Sequence, residues 1–133
     1  MSTTNIDTVK NAYAAFGRGD INAILAALAP DIDWESYGDP RHFPTLGGHR
    51  GHAEVRNFFK KVGDALEFSE FQPQEFFASG DTVIVLGHFT ATVKPTGRKA
   101  ASHWAHVFTF KNGKAVKFRE YADTATFAEA YRA

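Results

Sequence analysis

The sequence predicts an α+β fold, with helices gathered in the first half of the chain and laid on one face of an antiparallel sheet. Two observations predict it. Apolar residues recur at three- and four-residue spacing from residue 9 to residue 28 and again from 55 to 66, and from residue 68 onward they run in long strand-like stretches broken by turn residues. At 133 residues the chain supports one domain with a proper core, read as 1–133.

Asn5 or Asp7 can cap a first helix carrying Val9, Ala12, Tyr13 and Phe16, with Gly17 as its stop. Asp20 caps a second helix bearing Ile21, Ile24, Leu25 and Leu28, and Pro30 ends it. Residues 32–36 read as a short strand. The Gly, Pro and His between 37 and 51 read as a loop over the mouth of the domain. A third helix begins near Gly51 or His52 and turns Val55, Phe58, Phe59, Val62 and Leu66 inward. Strands follow over 68–77 and 82–93, with turns at 79–81 and 95–97. Thr124 caps a last short helix with Phe127, Ala128 and Tyr131.

The chemistry gathers in a hairpin. On the strand 102–110, alternation puts Trp104, His106, Phe108 and Phe110 on one face and His103 on the other. Asn112-Gly113 makes the turn. Val116, Phe118 and Glu120 continue the inner face on the returning strand, so a histidine and a carboxylate meet in an apolar wall, where burial and mutual charge move both pKa values. The same pair reads equally as a buried, satisfied cross-strand bond that holds the sheet together. His88 sits among apolar residues on a strand whose facing is not fixed, and is a secondary pocket candidate.

Composition narrows the partners. Fifteen basic and 15 acidic residues cancel, leaving no electrostatic footprint for a nucleic acid or an anionic membrane. With no cysteine, disulfides, thiolate catalysis and sulfur-ligated metals are excluded. The start of the chain has no signal-peptide pattern and no apolar run is long enough to span a bilayer, so a soluble cytoplasmic protein is expected. His42, His49 and His52 do not make a metal-binding pattern, and 47–51 lacks what a phosphate loop needs, so no metal and no cofactor is expected. Thirteen Phe, four Tyr and two Trp suffice either to fill a core or to line a cavity for a hydrophobic small molecule.

Several segments together carry a resemblance: 12–16 with Gly19-Asp20, 28–34, Gly48-His49-Arg50-Gly51 ahead of a helix, and 106–114. In these the chain resembles the SnoaL-like and ketosteroid-isomerase-related members of the nuclear-transport-factor-2-like superfamily, over essentially its whole length. The resemblance implies a cone-shaped α+β barrel in which helices pack on the concave face of a curved sheet around a cavity open at one end. It implies cofactor-free acid/base chemistry on a polyketide- or steroid-like carbonyl compound, of the isomerase, cyclase or lyase type. The alternative is a non-catalytic ligand-binding module on the same fold.

Residue by residue, Tyr13 matches the helical tyrosine that donates to a developing enolate in ketosteroid isomerases, and His106 matches the second donor. The carboxylate base of those enzymes falls near Ser36 or Tyr37, neither of which can serve, and Glu35 and Asp39 are out of position. SnoaL-like cyclases are similar in drawing an acid/base pair from the last two strands, which His106 and Glu120 fit, with Asp123 as the alternative carboxylate. An Asp33, Arg119 and Asp123 relay of the epoxide-hydrolase kind is disfavoured by strand alternation. Phe16, Trp34, Phe59, Trp104, Phe108 and Phe127 are the expected ligand-binding walls, with His88 beside them. Val107, Val93 and Phe89 are expected on the far side of the sheet, where they suggest a sheet-to-sheet homodimer, as the superfamily also does.

Overall fold

The structure, a computed structural model, describes residues 2–132, with side chains from Asn5 onward; Met1 and Ala133, the ends of the expected domain, lie outside the described residues. In chain order come α1 (Ser2–Gly17), α2 (Ile21–Ala26), β1 (Leu28–Ser36), β2 (Gly47–Arg50), α3 (Gly51–Ala65), β3 (Leu66–Ser79), β4 (Thr82–Val93), β5 (Arg98–Lys111), β6 (Lys114–Ala122) and α4 (Thr124–Tyr131). The fold is α+β, as the sequence predicts. The six strands form one open sheet in the order β2-β1-β6-β5-β4-β3.

That sheet is mixed, which corrects the purely antiparallel expectation: β1 runs parallel to β6, pairing Trp34 with Phe118 and Ser36 with Glu120. Its edge strand β2 forms in the stretch expected to be loop, because Gly47–Arg50 pairs antiparallel with 33–36. The rest of that stretch is pinned rather than loose, since Phe43 is fully buried with its ring 4.9 Å from that of Phe127.

Other boundaries move for identifiable reasons. Asn5 and Asp7 lie inside α1 rather than capping it. α2 stops at Ala26, and both Leu28 and Pro30 belong to β1. Pro30 is tolerated there because the β1–β6 ladder is irregular between Leu28 and Asp33, so its missing N–H removes no regular bond. Asp20 caps α2 as expected, accepting from the Ala23 amide. At α4 the cap is Asp123, which accepts from the Thr126 amide at 3.2 Å, rather than Thr124.

The hairpin forms as read. Asn112 and Gly113 have φ of 53° and 79°, the left-handed pair that a tight primed turn requires. A register shift between Thr109 and Phe110 then pairs Phe110 with Ala115, so Ala115 rather than Val116 is buried. Beyond the shift, His106 faces Glu120 and Phe108 faces Phe118. On β4 the inner face carries Val83, Val85, Phe89, Ala91 and Val93, so Phe89 and Val93 point into the core and not, as expected, to the far side. Among the described residues no helix is long and apolar enough to cross a membrane.

Candidate functional site

α1, α3 and the inner face of the sheet enclose a cavity of about 100 Å³. Its walls are aromatic: Phe16 from α1, Phe58 and Phe59 from α3, Trp34 from β1, and Phe68, Phe71, Phe89, Phe108, Phe118 and Phe127 from the remaining elements. Against this wall stand Tyr13, His106, Glu120 and Thr45. A second cleft of about 300 Å³, lined by Gly17, Ser69 and Pro73 among others, shares Tyr13, Phe16, Phe68 and Phe71 with the cavity. Those four side chains form the partition between the two spaces.

The polar groups make a single chain of hydrogen bonds. Tyr13 Oη lies 2.7 Å from His106 Nδ1. His106 Nε2 donates to Glu120 Oε2 at 2.8 Å, and Ser36 Oγ donates to Glu120 Oε1 at 2.9 Å. Each member is placed by an element already described: helical spacing turns Tyr13 inward beside Phe16, alternation on β5 turns His106 inward between Trp104 and Phe108, and the parallel β1–β6 register puts Ser36 opposite Glu120. The His106 side chain is 7% exposed and that of Glu120 19%.

The surroundings set the charge states. Burial, the largest influence on Glu120, pushes its carboxyl upward, but the bond and charge of His106 and the bond from Ser36 together hold it below the usual range. Tyr13 is pushed well above an ordinary phenol, first by burial and then by the negative charge of Glu120. At neutral pH the row therefore contains a carboxylate and an un-ionised phenol.

The expected residues divide. Tyr13, His106, Glu120, Phe16, Trp34, Phe59, Phe108 and Phe127 all line the cavity. Three do not. Asp123 caps α4, and the bonds from Thr126 hold it below the usual range. His88 points to the opposite face of the sheet, 3.2 Å from Glu70, because it shares its parity with the exposed Ile84 and Leu86. Trp104 is 3% exposed and backs the site instead of lining the cavity: its indole stacks on the His106 ring at 4.0 Å between centroids.

Asp33 and Arg119 form a two-point ion pair on the outer face of β1 and β6, away from the cavity, with bonds of 3.2 and 3.0 Å. The loop histidines separate as well. His52 Nε2 donates to the Leu28 carbonyl at 2.9 Å, Lys61 donates to His49 Nε2 at 3.0 Å, and His42 is exposed. Burial first and Lys61 second hold His49 below an ordinary histidine.

Sequence reasoning missed Ser36 as a partner of Glu120, along with the cavity residues Phe58, Phe68, Phe71, Phe89, Phe118 and Thr45. Phe89 shares the inner face of Trp104 and His106 because it pairs with Ser102, a register that alternation within β4 alone does not fix. Ser36 depends on a strand pairing that no local pattern encodes.

Comparison with other proteins fits this geometry. Residues 9–118 match the SnoaL-like domain. An NTF2-like protein from Burkholderia xenovorans LB400 is 37% identical, with 99% of this chain and 98% of that one covered and a TM-score of 0.90. An NTF2-like protein of unknown function from Burkholderia pseudomallei K96243 is also 37% identical, with both chains covered to 100% and a TM-score of 0.90. TerC, co-crystallised with polyporic acid, is 30% identical over 98% of this chain and 99% of its own, at a TM-score of 0.86. Among curated proteins none matches. On the match across 9–118, and on the agreement of fold with its NTF2-like neighbours, this chain belongs to the SnoaL-like domain family of the nuclear-transport-factor-2-like superfamily.

Proposed function

We propose that the protein binds a hydrophobic carbonyl compound in the aromatic cavity and moves a proton next to its carbonyl, as an isomerase- or cyclase-type enzyme without a cofactor. One observation carries this reading: the hydrogen-bonded row Tyr13, His106 and Glu120 stands at the edge of a cavity whose other walls, Thr45 apart, are aromatic and aliphatic. A proton relay in dry surroundings is worth far more than the same groups in water. Both nitrogens of His106 are engaged, so in this reading the pair His106 and Glu120 supplies or stores the proton while Tyr13 meets the substrate oxygen. The 30% identity to TerC, co-crystallised with polyporic acid, supports the small-molecule part of the reading.

Size bears on the substrate. The cavity, at about 100 Å³, is smaller than the roughly 150 Å³ apolar cavity that holds benzene. A single ring therefore already requires some give in the shared wall of Tyr13, Phe16, Phe68 and Phe71, and a polyketide- or steroid-sized ligand requires that wall to yield toward the second cleft.

The test needs no natural substrate. Cyclohexanone in D₂O exchanges its protons next to the carbonyl slowly, and proton NMR follows the loss. The wild-type protein accelerates this exchange, and Glu120→Gln loses the acceleration by roughly 100-fold, a typical contribution of a positioned acid or base. Binding without accelerated exchange would replace the enzyme reading with that of a ligand-binding module.

The outer face of the sheet supports a second, independent proposal, a homodimer through that face. Phe77, Ile84 and Val107 lie side by side across β3, β4 and β5, and Leu86, Ala105 and Tyr121 do so across β4, β5 and β6. Phe77 is 51% exposed and Tyr121 49%, an apolar surface that association would cover.

A further inference from the structure

Thr45 stands on the cavity wall but outside the hydrogen-bonded row. Tyr13, His106, Glu120 and Ser36 bond to one another and none of them to it. It comes from the segment between β1 and β2, which supplies no member of the row. Thr45 is 6% exposed, and among the described residues its hydroxyl has no hydrogen-bond partner. A hydroxyl withdrawn from water without a partner costs free energy, and a valine would fill nearly the same volume without that cost. The backbone also holds the residue in place. Phe43 is fully buried, with its ring 4.9 Å from that of Phe127 and 5.3 Å from that of Tyr131, and Leu46 is 4% exposed. The Leu46 amide donates to the Phe43 carbonyl at 3.1 Å, closing a tight turn in which Pro44, with its fixed φ, precedes Thr45. Anchored on both sides, Thr45 stays at the wall.

We infer that Thr45 is a second polar anchor of the cavity, which hydrogen-bonds an oxygen of the ligand other than the carbonyl that meets the row. The compound taken up is then a ring ketone with a hydroxyl or a second carbonyl elsewhere on its skeleton. This rests on the acid/base reading of the cavity and narrows the class of compound it acts on. A hydroxyl both donates and accepts, so Thr45 serves either kind of second oxygen, whatever the charge on the row. Aromatic walls hold a flat ligand by its faces and leave it free to turn in its plane. A few placed polar groups fix that orientation. With one oxygen at Thr45 and the carbonyl at the row, only one edge of the ring is presented for proton transfer. Thr45 is thus a ligand-binding residue that selects and orients, and it is neither acid nor base.

Hydroxyl and methyl are close in size, so the same exchange can be made on either side of the contact. The ligands are two cyclohexanones with a hydroxyl or a methyl at the carbon opposite the carbonyl, and a second such pair substituted one carbon nearer to it. NMR titration of backbone amides gives their affinities for the wild type, Thr45→Val and Thr45→Ser. In at least one pair, the preference for hydroxyl over methyl is about tenfold greater in the wild type than in Thr45→Val, the worth of one buried hydrogen bond. Thr45→Ser, which keeps the hydroxyl, behaves as the wild type. An equal preference in the wild type and Thr45→Val for both pairs would overturn the inference. So would a Thr45→Ser that behaves like Thr45→Val, because the effect would then belong to the methyl group. Thermal denaturation supplies the readout that a structural role would move. Thr45→Val removes no bond within the protein, so its midpoint stays at or above that of the wild type, and a lower midpoint or a failure to fold would assign the hydroxyl to the fold instead. Failure of the acid/base reading shows separately: the tenfold shift without accelerated exchange next to the carbonyl would sink that reading and leave the anchor standing. If none of the four binds the wild type at millimolar concentration, the cavity is not their site and the inference falls.

Discussion

The indole of Trp104 lies directly against the α-carbon of Gly87, its neighbour across the β4–β5 ladder. A Cβ at residue 87 would overlap the indole ring and stand 2.6 Å from the Gln72 carbonyl oxygen. The glycine is thus required by close approach, and the approach lets Trp104 lie flat enough to stack on His106. We predict that Gly87→Ala destabilises the fold by about 1–3 kcal/mol, the usual cost of overpacking, because backbone on one side prevents relaxation. Thermal denaturation measures the loss. Displacement of Trp104 also shifts the His106 ring resonances, because the aromatic current acting on them changes.

The buried pair of His106 and Glu120 separates a cost of folding from a role in chemistry. His106→Leu removes the partner of a buried carboxylate and is expected to cost about 3 kcal/mol or more, since the charge is left uncompensated. Adding Glu120→Leu removes that charge, so the double variant is more stable than His106→Leu alone, although neither supports proton transfer. Urea denaturation of the two single variants and the double variant measures the coupling. Additive losses would show that the two side chains do not act on one another.

How much of this site was legible in the sequence follows from the range of the interactions. Helical and strand periodicity report each residue's own element, so the inward facing of Tyr13, His106, Phe108 and Glu120 could be read directly. The β1–β6 pairing joins residues about 80 positions apart, and nothing in either strand announces the partner or the parallel direction. Ser36 therefore reads only as a residue that cannot serve as the base, and not as a support for Glu120. The one-residue bulge at Val116, opposite Thr109 and Phe110, is equally hidden, and it buries Ala115 in place of Val116. Trp104 was assigned to the cavity because alternation fixes a face but not a depth. Gly87, a glycine within a strand, was the available sign that a large ring lies close above it.

The charge states around the cavity predict a stability plateau with two limbs. Glu120 is held below its unfolded value of about 4.3, so its stabilising contribution is present above that pH and is lost as pH falls through the folded value. Asp33, held low chiefly by its bonds with Arg119, acts in the same direction. Tyr13 is pushed above its unfolded value of about 10, so its contribution is present below that pH and disappears as the solution becomes more alkaline. Denaturation midpoints between pH 3 and pH 11 should give the plateau at about pH 5–10. Glu120→Gln flattens the acid limb and Tyr13→Phe the alkaline limb. An unchanged acid limb in Glu120→Gln would assign acid unfolding to other carboxylates.

The proposed dimer is the prediction that reaches furthest from the cavity. Burying Ile84 and Leu86, each 36% exposed, together with Phe77 and Tyr121 removes a contiguous apolar surface from water, and each fully buried large side chain gains about 1.5–3 kcal/mol. A charge at the centre of that surface has no partner across a symmetric contact, because the two copies of the same residue approach each other. Sedimentation velocity at micromolar concentration should give a dimer for the wild type and a monomer for Leu86→Glu. Leu86 points away from the cavity, so the variant keeps the accelerated exchange of cyclohexanone if the site is complete within one chain. Sedimentation of the wild type as a monomer would leave the apolar face without this partner. A variant that becomes monomeric and also loses that exchange would mean that the sheet holds the shape of the cavity only when its outer face is covered.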